Sequence, residues 1–248
     1  MNITFTSEQR IDDSVLERAF TIDGIPGVLW TPEGASASTP VPLILLGHPG
    51  GLDPMLPRLR GRALGSASLG FASVTLELPG SGDRPRLTAV EDARRDMRAA
   101  ITAGEPVGPD VIDRLVLPLV DAAVPEWQGV LDAVLALPEI GGPVAYSGGI
   151  ISIGVRLALV EPRIVAAGLF AGSFVPGVIL DEARRVTIPL HVLLQWDDEG
   201  NDRRMALDLF DAFGSAEKTL QANLGGHRGV PTWAGEDASR FFARHLTR

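Results

Sequence analysis

Short apolar runs alternate with longer segments of helical period along most of this chain, the pattern of a largely parallel sheet with helices on both faces. Eight runs read as strands: Val15 to Ile22, Ile25 to Trp30, Val41 to Gly47, Phe71 to Glu77, Pro143 to Ser147, Ile164 to Gly172, Pro189 to Trp196 and Lys218 to Asn223. Only Asp23-Gly24 separates the first two, which makes them an antiparallel hairpin and the sheet mixed. The expected fold class is therefore α/β, with a mostly parallel eight-stranded sheet.

The chain of 248 residues is 45% hydrophobic, enough for a large core, and no linker or charge block divides it. We expect a single domain over residues 1–248, with an enlarged helical segment at about 79–141 that holds two helical patterns, Leu87 to Ile101 and Pro109 to Leu137. Leu115, Val116, Leu117 and Leu119 are candidates to roof a site there. Trp127, Val130, Leu131, Val134 and Leu135 form an apolar stripe that reads as packing surface. A second stripe, Met205, Leu209, Phe210 and Phe213, follows Asn201 as its expected N-cap.

A formal charge of −9 argues against a nucleic-acid or anionic-membrane surface. The absence of cysteine removes disulfides, thiol nucleophiles and cysteine-rich metal sites. With no leader-like start and no run of about 18 apolar residues, the cytoplasm is the expected location.

Ligands of an open parallel sheet bind beyond the carboxyl ends of its strands. Three such places carry chemistry-bearing residues. His48 to Gly51, "HPGG", has the composition of a loop whose backbone N–H groups approach an oxyanion, and equally that of a tight turn. Asp197 and Asp198 follow the seventh run, where a carboxylate can orient a histidine or simply form a solvated acidic turn. His227 lies in the glycine loop "LGGHRG" after the last run. "PGSGDRPR" at the end of the fourth run presents Asp83, Arg84 and Arg86 to the same rim, either as ion pairs or toward a carboxylate-bearing substrate.

The chain order Ser147, Asp198, His227, together with the glycine-rich turn after "PVAYS", resembles the α/β-hydrolase superfamily, and within it the dienelactone hydrolase-like and small esterase branch. The resemblance runs from Val15 to the C-terminus. It implies His227 as base, Asp198 rather than Asp197 as the acid that orients it, and an oxyanion site from backbone N–H groups near Gly50 and Gly51 and of Gly148. It implies a serine hydrolase that cleaves a carboxylic ester or lactone through an acyl-enzyme, without cofactor or metal. The expected partner is a small-molecule ester or lactone, with no nucleic acid and no membrane, and a homodimer is compatible.

The turn itself has two registers. "AYSGG" puts Ser147 at the apex between small flanks, at the cost of Pro143 near the middle of a short central strand. If the strand instead runs to Ser147, the turn is "GGIIS" and Ile150, which cannot attack a carbonyl, is its central residue. Ser152 is a further alternative in the first helical turn. Ser147 is the favoured nucleophile because Asp198 and His227 have less purpose without it. Two readings stand beside it: a non-catalytic ligand-binding protein with Ile150 at the apex, and hydrolysis by His/Asp activation of water with no covalent intermediate.

Overall fold

The computed structural model describes residues 3–227 and 229–247. Its strands are β1 (Ile3–Ile11), β2 (Val15–Ile22), β3 (Ile25–Pro32), β4 (Val41–Gly47), β5 (Ala72–Leu76), β6 (Ile140–Gly148), β7 (Ile164–Phe170), β8 (Leu190–Gln195) and β9 (Lys218–Asn223). They form one nine-stranded sheet in the order β1-β2-β3-β5-β4-β6-β7-β8-β9. The pairs β1·β2, β2·β3 and β3·β5 are antiparallel, and every pair from β5·β4 to β8·β9 is parallel.

The expected eight strands are corrected to nine. The added strand, β1, is exposed along its whole interior and pairs only with β2 at the sheet edge. A strand that buries neither face needs no apolar alternation, so it carries none.

The helices are α1 (Leu52–Ala67), α2 (Thr88–Ala103), α3 (Pro109–Leu135), α4 (Ile151–Val160), α5 (Gly177–Ala183), α6 (Arg203–Ala212) and α7 (Thr232–Leu246). One sheet face packs a large core with α3 and α4, in which Val120, Val130, Leu131 and Val134 are fully buried. Trp127 meets the ring of Tyr146 edge-on at 6.2 Å, a scaffold contact as its helical stripe predicts. The other face carries a smaller core between α1 and α7, built on Ile44, Leu46, Leu59, Ala145 and Phe241. No helix among the described residues is long and apolar enough to cross a membrane.

The long segment after β5 is mainly scaffold: α3 packs on the sheet and α2 packs against α3. Of the four residues expected to roof a site, Val116 alone reaches the main cavity. The central strand β6 runs straight through Pro143, which sits where the register of β6 slips against β4 between Val41 and Leu43. A ladder irregularity is where a strand tolerates a residue with no N–H to donate.

Candidate active site

The carboxyl ends of β4, β6, β7 and β8 open into a cavity of about 540 Å³. His227 enters it from the loop after β9. Two residues fix that loop: Asp197 accepts from the N–H groups of Gly225 and Gly226 at 2.9 and 3.0 Å, and the Gln195 amide donates to the Gly226 carbonyl at 2.7 Å.

Asp198 takes a different part. Its Oδ2 accepts from His227 Nδ1 at 2.7 Å and from Asn201 Nδ2 at 2.6 Å, and its Oδ1 accepts from the Gly200 N–H at 2.9 Å. Burial works against that carboxylate's charge, but the bonds from Asn201, His227 and Gly200 outweigh it and hold Asp198 below the ordinary aspartate range. An ionised Asp198 on Nδ1 keeps the proton there and leaves Nε2 as the basic nitrogen. The His227 ring stands edge-on against Phe170, with centroids 5.8 Å apart.

Asn201 corrects one expectation. The N-cap of α6 is Asp202, whose side chain accepts from the Arg204 and Met205 N–H groups. Asn201 instead bridges the site: besides donating to Asp198, its Oδ1 accepts from the Ser173 N–H and hydroxyl at 2.9 and 3.0 Å. Position in the chain, one residue before a cap, gave no signal of that role.

The turn between β6 and α4 follows the second register in keeping Ser147 in the strand and differs from both registers at its apex. Ser147 still belongs to β6, opposite Leu46 on one side and Gly168 on the other. Ile150 is the extended N-cap of α4, with φ −75° and ψ 117°. The apex lies between them, at Gly148 and Gly149, whose φ values of 77° and 73° are left-handed. A second, steric constraint is backbone-based at Gly149, whereas Gly148 faces the tip of the Arg62 side chain. A Cβ at Gly149 would lie 2.8 Å from the Tyr146 hydroxyl and 2.9 Å from the Gly47 Cα, and one at Gly148 would lie 2.9 Å from Arg62 Nη2. The expectation that Ser147 or Ile150 occupies the apex is therefore corrected: a residue without a side chain does. Ser152 lies in the first turn of α4, buried, on the cavity wall.

Where a side chain would project from the apex, the guanidinium of Arg62 is seated. It donates from Nη1 to the Gly47 carbonyl at 2.9 Å, and from Nη2 to the Ser147 carbonyl at 2.7 Å and to the Ser147 hydroxyl at 3.0 Å. Burial, and then the charge of Arg58 one turn earlier on α1, push this guanidinium down to about 10, so it is cationic at neutral pH. Arg62 was invisible to sequence reading because α1 carries three arginines within five residues, Arg58, Arg60 and Arg62, and only packing separates their fates.

The glycine loop after β4 also differs from expectation. It gives Gly47 and Pro49 to the cavity wall rather than Gly50 or Gly51. Gly51 is the N-cap of α1, and the next N–H, of Leu52, donates to the Glu77 carboxylate at 3.0 Å. His48 is buried and donates from Nε2 to the Leu76 carbonyl at 2.7 Å, which makes it a structural histidine. Gly148 does line the cavity. At the fourth-strand rim, Arg84 pairs with Glu126 and also donates to the Glu77 carbonyl at 2.8 Å, and Arg86 donates to the Gly80 carbonyl, so both are tied into the scaffold. Among the described residues no cluster of histidines and carboxylates has the makings of a metal site.

Comparison with known proteins locates this architecture. No protein-family model and no curated protein sequence matches the chain. Among solved structures, a cold-adapted esterase from an Arctic intertidal metagenomic library matches with a TM-score of 0.75 at 25% identity, covering 98% of this chain and 100% of that one. Acetyl xylan esterase 1 from Thermoanaerobacterium matches at 0.64 with 12% identity over 98% and 87% of the two chains. A dienelactone hydrolase from Anabaena variabilis matches at 0.59 with 18% identity over 99% and 100%. The last two likenesses are of fold alone. The chain thus has the fold of the α/β-hydrolase superfamily, in the form taken by its dienelactone hydrolase-like esterase branch.

Proposed function

We propose that this protein hydrolyses carboxylic esters or lactones, with His227 as the general base and Asp198 as the residue that orients it. The observation that carries the reading is the 2.7 Å bond from His227 Nδ1 to an ionised Asp198, beside a cavity at the carboxyl ends of the sheet. Similarity to an esterase over the full length of both chains supports the substrate class.

The absence of a side chain at the Gly148 apex favours water as the nucleophile. His227 Nε2 takes a proton from that water as its oxygen attacks the carbonyl carbon, and Asp198 stabilises the imidazolium that forms. The tetrahedral intermediate then collapses, the C–O bond to the leaving alcohol breaks, and His227 returns the proton to the alkoxide. Acid and alcohol leave, with no acyl-enzyme.

A second reading has one observation in its favour. Arg62 donates to the Ser147 hydroxyl, and a cationic donor stabilises the alkoxide that an attacking serine becomes. Ser147 is then acylated and water releases the acid.

Intact mass after exposure to a fluorophosphonate separates the two. Under the water reading the protein stays unlabelled, Ser147→Ala retains turnover of a panel of phenyl and methyl esters, and His227→Ala loses it. An adduct on Ser147 that disappears in His227→Ala establishes the acyl-enzyme instead. No turnover of any ester or lactone by the wild-type protein would overturn both and leave a ligand-binding protein.

A further inference from the structure

Among the described residues, those other than glycine with left-handed φ are Asp12, Asp13 and Asp23, at 51°, 49° and 49°, and Phe174, at 59°. The aspartates lie in the turns between β1 and β2 and between β2 and β3, where a short polar side chain tolerates this conformation. Phe174 does not fit that pattern. It lies in the loop between β7 and α5, and a bulky aromatic residue in this conformation is strained. Glycine would adopt the same backbone without cost, so the strain points to a use for the ring.

The loop is anchored on both sides of Phe174. Before it, Ser173 donates its N–H and its hydroxyl to Asn201 Oδ1, and the same Asn201 donates to Asp198 at 2.6 Å and stands 3.4 Å from His227 Nδ1. After it, Val175 is 7% exposed and packs in the large core. Val175 thus supplies the packing, while Phe174 is half-buried, borders that core and lines the main cavity. Phe170, at the end of β7, lines the cavity too and meets the His227 ring edge-on at 5.8 Å. Both phenylalanines therefore belong to the side on which the base stands. His227 returns its proton to the departing alkoxide, so the alcohol part of an ester lies on that side.

We propose that Phe174 and Phe170 wall a leaving-group subsite, and that the favoured substrates are esters whose alcohol part carries an aromatic ring. The proposal rests on the hydrolase reading and names its substrate class. It holds for either nucleophile, because His227 reprotonates the alcohol in both. Anchoring through Ser173 and Asn201 sets the Phe174 ring in register with the base before substrate arrives, so little ordering is needed on binding. A substrate ring against two phenylalanines gains edge-on or offset contacts beyond its buried area. Phe174 is a specificity-determining residue in this scheme.

Two measurements keep the subsite and the hydrolase reading apart. Calorimetry on the wild-type protein compares benzyl alcohol with n-propanol, and benzyl alcohol is expected to bind about tenfold more tightly. Phe174→Asn loses the ring but still accepts left-handed φ, and is expected to reduce that preference about fivefold. Phe174→Tyr keeps the ring and is expected to keep the preference. Equal affinities in the wild-type protein, or an unchanged preference in Phe174→Asn, overturn the subsite. Hydrolysis is followed with benzyl acetate and methyl acetate, whose alcohols leave with similar ease. A kcat/KM ratio that favours benzyl acetate and falls about fivefold in Phe174→Asn supports the assignment. Turnover of neither ester, with the benzyl alcohol preference intact, removes the hydrolase reading and leaves the aromatic subsite standing.

Discussion

Gly148 illustrates how much can rest on the absence of a side chain. Its φ of 77° and the 2.9 Å distance from its would-be Cβ to Arg62 act together. Gly148→Ala is expected to cost about 2 kcal/mol, from backbone strain and from displacement of the Arg62 guanidinium, and urea unfolding measures it. A cost near zero would mean that the turn relaxes and that the glycine is incidental. Asp198 makes the opposite case, a side chain with three simultaneous bonds. Asp198→Asn is expected to lower kcat by about 10³-fold under the proposed function, because the amide no longer fixes the Nδ1–H tautomer of His227. Unaltered kcat in that variant would exclude His227 as the base. Position beyond a strand marked Asp197, Asp198 and His227 as candidates, and the choice of Asp198 to orient His227 came from the family resemblance. The apex was not legible. Two adjacent glycines after a proline-containing strand admit more than one frame, and the frame is chosen by the Tyr146 hydroxyl, Gly47 and Arg62, which meet only in the folded state.

At the scale of elements, α1 is the piece on which both the seat of Arg62 and the smaller core depend. Glu17 of β2 ties it down: its buried carboxylate accepts from Arg60 Nε and Nη2 at 2.7 Å each, from Trp30 Nε1 at 2.7 Å and from Gln9 Nε2 at 2.6 Å. Burial opposes the charge on Glu17, and these donors more than offset it. Glu17→Ala is expected to destabilise the protein by about 3 kcal/mol, since it orphans the Trp30 N–H and the Arg60 charge together. The midpoint of urea unfolding reports it, and a loss below about 0.5 kcal/mol would show that the hairpin and α1 are held by apolar packing alone. Leu131 of α3, with no exposed surface, probes the opposite face, where Leu131→Ala is expected to cost about 3 kcal/mol in the same assay. Most elements were legible: β2, β4 and β9 have the bounds their apolar runs define. The edge strand β1 was not, because its ladder with β2 satisfies its backbone while its side chains remain in water.

For the molecule as a whole, the buried histidines set the response to acid. Burial holds the imidazoles of His48 and His191 below their ordinary value of 6.5. In each case the unfolded chain binds the proton more readily than the folded one, so stability rises with pH across that interval. The contribution is complete above the unfolded value and is lost as pH falls through it toward the folded value. Urea midpoints are therefore expected to be level from about pH 8 to about pH 7 and to drop by about pH 5.5. The lowered carboxylates Asp198, Glu17 and Glu161 give up their share only further down, as pH falls through the acidic range. A midpoint that rises on going from about pH 8 to about pH 5.5 would contradict the neutral burial of both histidines.

The sequence by itself determined the α/β class and the strands of the parallel sheet, because both rest on local period, which a linear chain displays. It put two aspartates after β8 and a histidine after β9, and the choice of Asp198 to orient His227 came from the family resemblance. Only the tertiary structure decided that a glycine heads the central turn, that Asn201 braces Asp198 and that Arg62 fills the place under the apex. Those are facts about which atoms, far apart along the chain, exclude one another from the same few ångströms.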